Sequence, residues 1–242
     1  MSLDICIIGT GNVSWHLQKA FLAAGHNVIA VSSRLPALIP PNSDFYIIAV
    51  SDDAIPSVAA SLPPFKGILL HTSGSVSIDA LAPHSPRGVF YPLQTFTKGV
   101  ELNYALIPFF IEASDDDALS RLSALVASID AEAYPLSSVN RRKLHLAAVV
   151  SSNFSNALYT LADEQLNTFG LSFSCLKPLL SETLRKAAAT SPLEAQTGPA
   201  RRGDYATIDS HLKELADNQD AAEIYRTLTS LILRQQGNSP IR

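Results

Sequence analysis

Short apolar runs alternate with amphipathic stretches along the first half of the chain. The runs "DICIIG", "NVIAVS", "FYIIAV", "GILLHT", "GVFYP", "PFFIEA" and "AEAYP" are rich in Ile, Val, Phe and Tyr. That is the composition of buried strands. Between the first two, Val13, Leu17, Ala20, Phe21 and Ala24 recur at helical spacing, and Gly25 supplies a C-terminal stop. Strand, helix and strand in that order form a βαβ unit. Its continuation to about Tyr134 predicts an α/β fold with a doubly wound, mostly parallel sheet and crossover helices.

After "SSVNRRKL" no strand pattern returns. Apolar helices follow, separated by "NTFGLS", "TSPLEAQTGPARRGD" and "DNQD", so a second, all-helical domain is expected. The change of period sets the boundary: a sheet domain at 1–136 and a helical domain at 137–242. From about Ser138 to Phe169, ended by Gly170, the pattern reads as one helix of roughly 45 Å that joins the two domains. Its middle, "KLHLAAVVSSNFSNALYTLA", is mostly apolar, which predicts burial nearly all round.

With 242 residues, 47% hydrophobic and 17% charged, the chain has material for a sizeable core. The formal charge of −4, with no basic run longer than Arg141-Arg142-Lys143, argues against nucleic acid as a partner. The start lacks the marks of a signal peptide, and no apolar run approaches the roughly 18 residues of a membrane span. A cytoplasmic protein without membrane association is expected. Cys6 and Cys175 stand far apart with no CxxC and no His cluster, so no metal site is expected and both read as small buried hydrophobes.

The first strand ends in "IIGTGNVSWHL". A turn that receives a pyrophosphate needs one glycine for the bend, a second for close approach of backbone N–H groups, and a small third residue where helix meets strand. Gly9, Gly11 and Ser14 occupy those places. The turn follows a strand, opens an amphipathic helix and lies in a βαβ unit, so a Rossmann-like dinucleotide site lined by Gly9, Thr10, Gly11, Asn12 and Val13 is predicted. An NAD site usually carries an acid at the end of the second strand. Here no acid stands between Asp4 and Asp44, and the position offers Ser32, Ser33 and Arg34. Two hydroxyls and a guanidinium suit a 2′-phosphate, which points to NADP; the alternative leaves Arg34 an ordinary solvated side chain.

The third, fourth and fifth strands end in "AVSDD", "HTSG" and "YPLQTF". Small polar groups thus gather where doubly wound sheets bind ligands, with Val50, Ser51 and Asp52 beside the cofactor and Thr72 and Ser73 near its nicotinamide. Asp52 has a second reading as the N-cap of the next helix. On the long helix, His145, Ser152 and Asn156 fall within roughly 40° of one another at 100° per residue, with Asn153 at the edge, whereas Lys143 projects roughly 160° from His145. His145 is read either as a proton donor flanked by Ser152 and Asn156 or as a core histidine. In "QTGPARRGD", Arg201 and Arg202 either bind an anionic substrate or pair with acids such as Asp204 across a subunit contact.

"IIGTGNVSWHL", "AVSDDAI", "HTSGSV", "FYPLQTF", "LHLAAVVSSNFSNALY" and "QTGPARRGD", in that order, resemble the bacterial family of candidate NADP oxidoreductases that pair a Rossmann-like N-terminal domain with a C-terminal helical domain of unknown function. The layout is more distantly similar to pyrroline-5-carboxylate reductase, prephenate dehydrogenase and the β-hydroxyacid dehydrogenases, often dimers. The interdomain lysine of β-hydroxyacid dehydrogenases has no counterpart in phase here, and His145 looks more like the histidine-assisted chemistry of prephenate dehydrogenase. The combined expectation is hydride transfer between NADPH and a small carbonyl or imine held between the domains. Its rival is an NADP-binding sensor or scaffold without turnover. The apolar stretches "SFSCLKPLLSETL" and "LTSLILRQQ" exceed what one helical layer hides, so a homodimer through the helical domain is expected.

Overall fold

The computed structural model of the protein describes residues 2–239 and 241. The chain divides into two compact units, the first ending at Ser152 and the second beginning at Asn153.

All seven expected strands form, in one sheet of order β2-β1-β3-β4-β5-β6-β7. They are β1 Asp4–Ile8, β2 Asn27–Val31, β3 Phe45–Ile48, β4 Ile68–His71, β5 Arg87–Pro92, β6 Phe109–Ala113 and β7 Ala133–Pro135. Strands β1 to β5 are mutually parallel, β6 runs antiparallel to β5, and β7 is parallel to β6. The β5–β6 link carries no crossover α-helix, and a plain return of that kind delivers an antiparallel neighbour.

Side chains alternate between the two faces with the strand period of two. Ile5, Ile7, Phe45, Ile47, Ile68, Leu70 and Phe90 pack on Leu17 and Phe21 of α1 (Asn12–Ala23) and on Leu122 and Leu125 of α3 (Asp116–Ala127). Cys6, Ile8, Tyr46, Ile48 and Leu69 pack on Ile55 and Ala59 of α2 (Ile55–Ser61). Cover on both faces explains why the strands read as continuous apolar runs. Helix α1 stops where the sequence placed its end: Gly25 takes φ +82, its N–H donates to the Leu22 carbonyl, and the His26 N–H donates to that of Phe21. That pair of bonds is the Schellman closure that favours glycine.

Helix α4 (Ser138–Ala148) lies in the first unit and runs through a π-helical turn at Val149–Asn153 into α5 (Phe154–Asn167). The expected all-round burial of this stretch is not found: Leu146, Val150 and Phe154 are 63%, 52% and 56% exposed. Among the described residues their apolar side chains stay more than half bare.

In the second unit α5 is joined by α6 (Lys177–Ala189), α7 (Pro192–Ala195), α8 (Pro199–Arg202), α9 (Tyr205–Glu214) and α10 (Gln219–Gln235). Asp204 caps α9 by accepting from the Thr207 N–H, and Asn218 caps α10 through the Ala221 N–H. Ala200, Ile208 and Leu233 form a small buried cluster with Leu212, Tyr225 and Ile232 around it. Cys175 is exposed rather than buried, because it sits in the short helical turn Phe173–Leu176 at the surface. Among the described residues no helix is long and apolar enough to cross a membrane.

Candidate functional site

From β1 the chain moves to β2 on one side, then returns to β3 on the other, so the loops after β1 and β3 leave the sheet in opposite directions. A crevice opens at such a switch point, at the carboxyl ends of the strands. Here it measures about 500 Å³. Gly9, Thr10, Gly11, Asn12 and Val13 line it after β1, Ser32, Ser33 and Arg34 after β2, Ala49, Val50 and Ser51 after β3, and Thr72 after β4.

The turn residues divide their work as the chemistry requires. Gly9 has φ +143, and a Cβ there would stand 2.1 Å from the Ala49 carbonyl oxygen. Contact between the β1 and β3 ends therefore demands glycine. At Gly11 a Cβ would meet nothing within 4 Å, so open space lies beside the turn there. Ser14 takes the third small position, buried, and its hydroxyl donates to the Gly9 carbonyl at 2.7 Å. Gly11 is the N-cap of α1 and offers no side-chain cap, so the first-turn amides are free to meet an anion. Arg34 is exposed at the far end of the crevice; its N–H bonds to the Ser32 hydroxyl at 3.3 Å, which shapes the turn and leaves the guanidinium free of any ion pair among the described residues.

Two expected lining residues do other work. The Ser73 hydroxyl is buried and accepts from the N–H groups of Ser75 and Val76, both at 3.1 Å, so it shapes the loop rather than the crevice wall. Asp52 stands in the first turn that follows Ser51, which is the N-cap position, and its carboxylate accepts from the Ser75 hydroxyl at 2.5 Å.

Beyond Thr72 the β4 loop meets α4. His145 is half-buried, and its Nδ1 lies 3.1 Å from the Tyr91 hydroxyl at the end of β5. The two rings meet over Gly74, where a Cβ would fall 2.6 Å from Nδ1 and 2.7 Å from Tyr91 Cζ. Burial pushes the Tyr91 phenol above its ordinary range and Asp52 adds to the rise, while Arg141 opposes it. Lys143, two residues before His145, is exposed.

Arg141 is what holds α4 in place. Its side chain is fully buried, pairs with Glu112 of β6, and donates to the Val76 carbonyl and the Ser138 hydroxyl. Ser138 in turn donates to Glu112 at 2.6 Å and accepts from the Ile78 N–H at 3.1 Å. As Arg141 and His145 are four residues apart on one helix face, anchoring the first aims the second. His71, fully buried behind them, accepts from the Ser73 N–H at 3.1 Å. Burial and then Arg141 depress its imidazole to about 4, against the Ser77 backbone, Asp52 and Glu112.

Sequence reasoning missed Tyr91, Gly74, Arg141 and Ala49. Tyr91 and Gly74 lie inside quoted motifs at strand ends, so position could have singled them out; nothing local separates the buried Arg141 from its exposed neighbour Arg142. The alignment of His145 with Ser152 and Asn156 assumed an unbroken α-helix. The π turn at 149–153 changes the phase between them, and Ser152 and Asn156 are exposed. The 196–204 segment holds the helical turn α8 instead of an open loop. Within it Arg201 donates to the carbonyls of Glu194 and Gln196, and Arg202 lies 3.8 Å from Asp204 of the same chain.

A family model described as a domain of unknown function (DUF2520) matches residues 107–232, just over half the chain. The chain belongs to that family. A solved protein of similar build, a candidate NADP oxidoreductase from Bacteroides fragilis, is 33% identical over 96% of this chain and 98% of its own, with a TM-score of 0.88. A protein from Thermotoga maritima is 22% identical over 96% and 98% of the two chains, with a TM-score of 0.73. A reductive aminase from Aspergillus terreus, solved with NADPH and ethyl levulinate, is 14% identical over 100% of this chain and 97% of its own, with a TM-score of 0.72. The last two likenesses concern the fold. No curated protein matches the chain. The DUF2520 match begins just before β6 and takes in Glu112, Arg141 and His145, whereas the glycine turn lies outside it.

Proposed function

We propose that the protein is an NADP-dependent oxidoreductase acting on a small carbonyl or imine. The observation that carries the reading is the crevice at the β1/β3 switch, with free amides at one end and an unpaired Arg34, with no acid, at the other. The space left at Gly11 and the 500 Å³ volume fit a dinucleotide. The solved relative's description as an NADP oxidoreductase and the NADPH-bound reductive aminase of the same fold support it.

When bound, NADPH supplies the hydride. Of the residues that line the crevice, Gly9 to Val13 would hold the diphosphate, Ser33 and Arg34 would hold the 2′-phosphate, and Thr72 would border the reacting end. The second task is a proton for the oxygen or nitrogen of the reduced group. A protonated His145 directs Nδ1–H to Tyr91 and keeps Nε2–H to donate; having given it, the neutral ring retains its bond to Tyr91. Gly74 leaves room for that pair and Arg141 fixes the helix beneath it. Ser152 and Asn156 remain proposed as substrate-orienting groups.

We infer further that the helical unit pairs with a second copy of itself. Its buried cluster is small, whereas exposed Phe154, Leu158, Ile224 and Leu228 line an apolar groove between α5 and α10, and Leu184 is 72% exposed. So much bare apolar surface on so small a core matches an association face.

The test of function is NADPH oxidation against keto acids, cyclic imines and aldehydes, with His145→Gln alongside. Turnover lost in the variant supports the reading. Tight NADP binding with no turnover across the panel moves the protein to the sensor class.

A further inference from the structure

The loop after β5 carries a lysine that the function above does not use. Lys98 Nζ donates to the Thr10 carbonyl at 2.7 Å, directly on the glycine turn, and forms no ion pair among the described residues. Its placement is built rather than casual. His16 of α1 is fully buried and uses both ring nitrogens on this loop: Nε2 lies 2.9 Å from the Thr97 carbonyl and Nδ1 3.0 Å from the Tyr104 hydroxyl. A carbonyl only accepts, so Nε2 carries the proton and Nδ1 accepts from Tyr104. Phe96 packs on the same imidazole, with centroids 4.9 Å apart, and Lys19 pairs with Glu101 at 3.0 Å. The residue beside Lys98 is thereby fastened to the helix that opens at the turn.

Charge accounting gives the lysine a purpose. NADP brings a 2′-phosphate and a diphosphate, yet among the described residues Arg34 is the one cation lining the crevice, and it belongs with the 2′-phosphate end. Backbone amides alone would face the diphosphate. We propose that Lys98 is the diphosphate ligand, a point charge strapped over the glycine turn by His16, which turns from the Thr10 carbonyl to the phosphate oxygens when the dinucleotide binds. This rests on the dinucleotide reading and adds a residue to it.

The two phosphate sites predict different losses. Replacing Lys98 should weaken every ligand that has a diphosphate, whatever its 2′ group, while Arg34 should matter only where a 2′-phosphate is present. Calorimetric titration of the full chain with NADPH, NADH, ADP-ribose and 2′-AMP separates them. In Lys98→Met, about tenfold weaker binding of NADPH, NADH and ADP-ribose is expected, with the NADPH-to-NADH ratio and 2′-AMP affinity unchanged, and Lys98→Arg should recover most of the loss. Equal affinities in Lys98→Met and the unmutated chain would overturn the assignment of Lys98 while leaving the dinucleotide reading intact. A loss that extends to 2′-AMP would overturn it too, by placing the effect elsewhere. No binding of any dinucleotide by the unmutated chain would overturn both.

Discussion

Tyr91 and His145, 54 positions apart in sequence, meet with the phenol oxygen 3.1 Å from the imidazole Nδ1, and Gly74 is the residue whose missing side chain lets them meet. Gly74→Ala should drive the two rings apart, since the new methyl would fall 2.6 Å from Nδ1. NADPH affinity should be kept and turnover lost, a split read from calorimetry and steady-state rates on the same preparation. Turnover at the unmutated level would remove the pair from the mechanism.

His145→Gln removes the donor itself. Turnover should fall by roughly 10² to 10⁴-fold, the range for general acid catalysis, with cofactor affinity nearly unchanged. Tyr91→Phe keeps the ring packing and deletes only the bond to Nδ1, so it should lower kcat by less. If His145→Gln instead lowers Tm and spares the rate per folded molecule, the histidine is structural.

Arg141 is fully buried and pairs with Glu112. Glu112→Gln strands a buried guanidinium, and loss of one partner of a buried pair costs about 3–5 kcal/mol. Denaturant unfolding should show a loss of that size, and hydrogen exchange should accelerate in α4 more than in β1 to β4. Unchanged stability would mean that something other than Arg141 anchors the helix.

How much of this the sequence carried depends on the range of the interaction. The strands, α1 with its Gly25 stop and the glycine turn are written locally, in period and turn chemistry, and all formed as read. The Tyr91–His145 and Arg141–Glu112 contacts join distant elements, so local pattern could name His145 as a candidate without saying what it touches. The π turn was invisible for another reason: "VVSSN" has no proline or glycine to mark a change of helical period. Apolar stretches also do not say where they will be buried, and Phe154 and Leu146 read as core but lie exposed.

Bare apolar surface on α5 and α10 should hold two copies together. Light scattering at micromolar concentration should report a dimer, and Leu228→Glu, set in the groove with Asp220 and Glu223, should shift it to monomer without loss of helicity. A monomeric unmutated protein would contradict the inferred pairing.

Burial holds the His71 imidazole down to about 4, with Arg141 adding to the effect. The folded state therefore keeps this ring neutral while the unfolded chain takes up a proton below its ordinary value of 6.5. Stability is fully present above pH 6.5 and declines as pH falls from there to about 4, by about 3 kcal/mol at the lower end. In His71→Asn, whose side-chain oxygen can still accept from the Ser73 N–H, Tm should vary less over that window. An identical slope in both proteins would assign the pH dependence to other groups.

The central claim, an NADP site at the β1/β3 switch, is tested most directly by calorimetric titration of the unmutated protein with NADPH and with NADH. NADPH is predicted to bind roughly ten- to a hundredfold more tightly, worth about 1–3 kcal/mol from a charge-assisted bond, and Arg34→Ala should remove most of that difference. Equal affinity for the two cofactors, or no binding of either, would contradict the account.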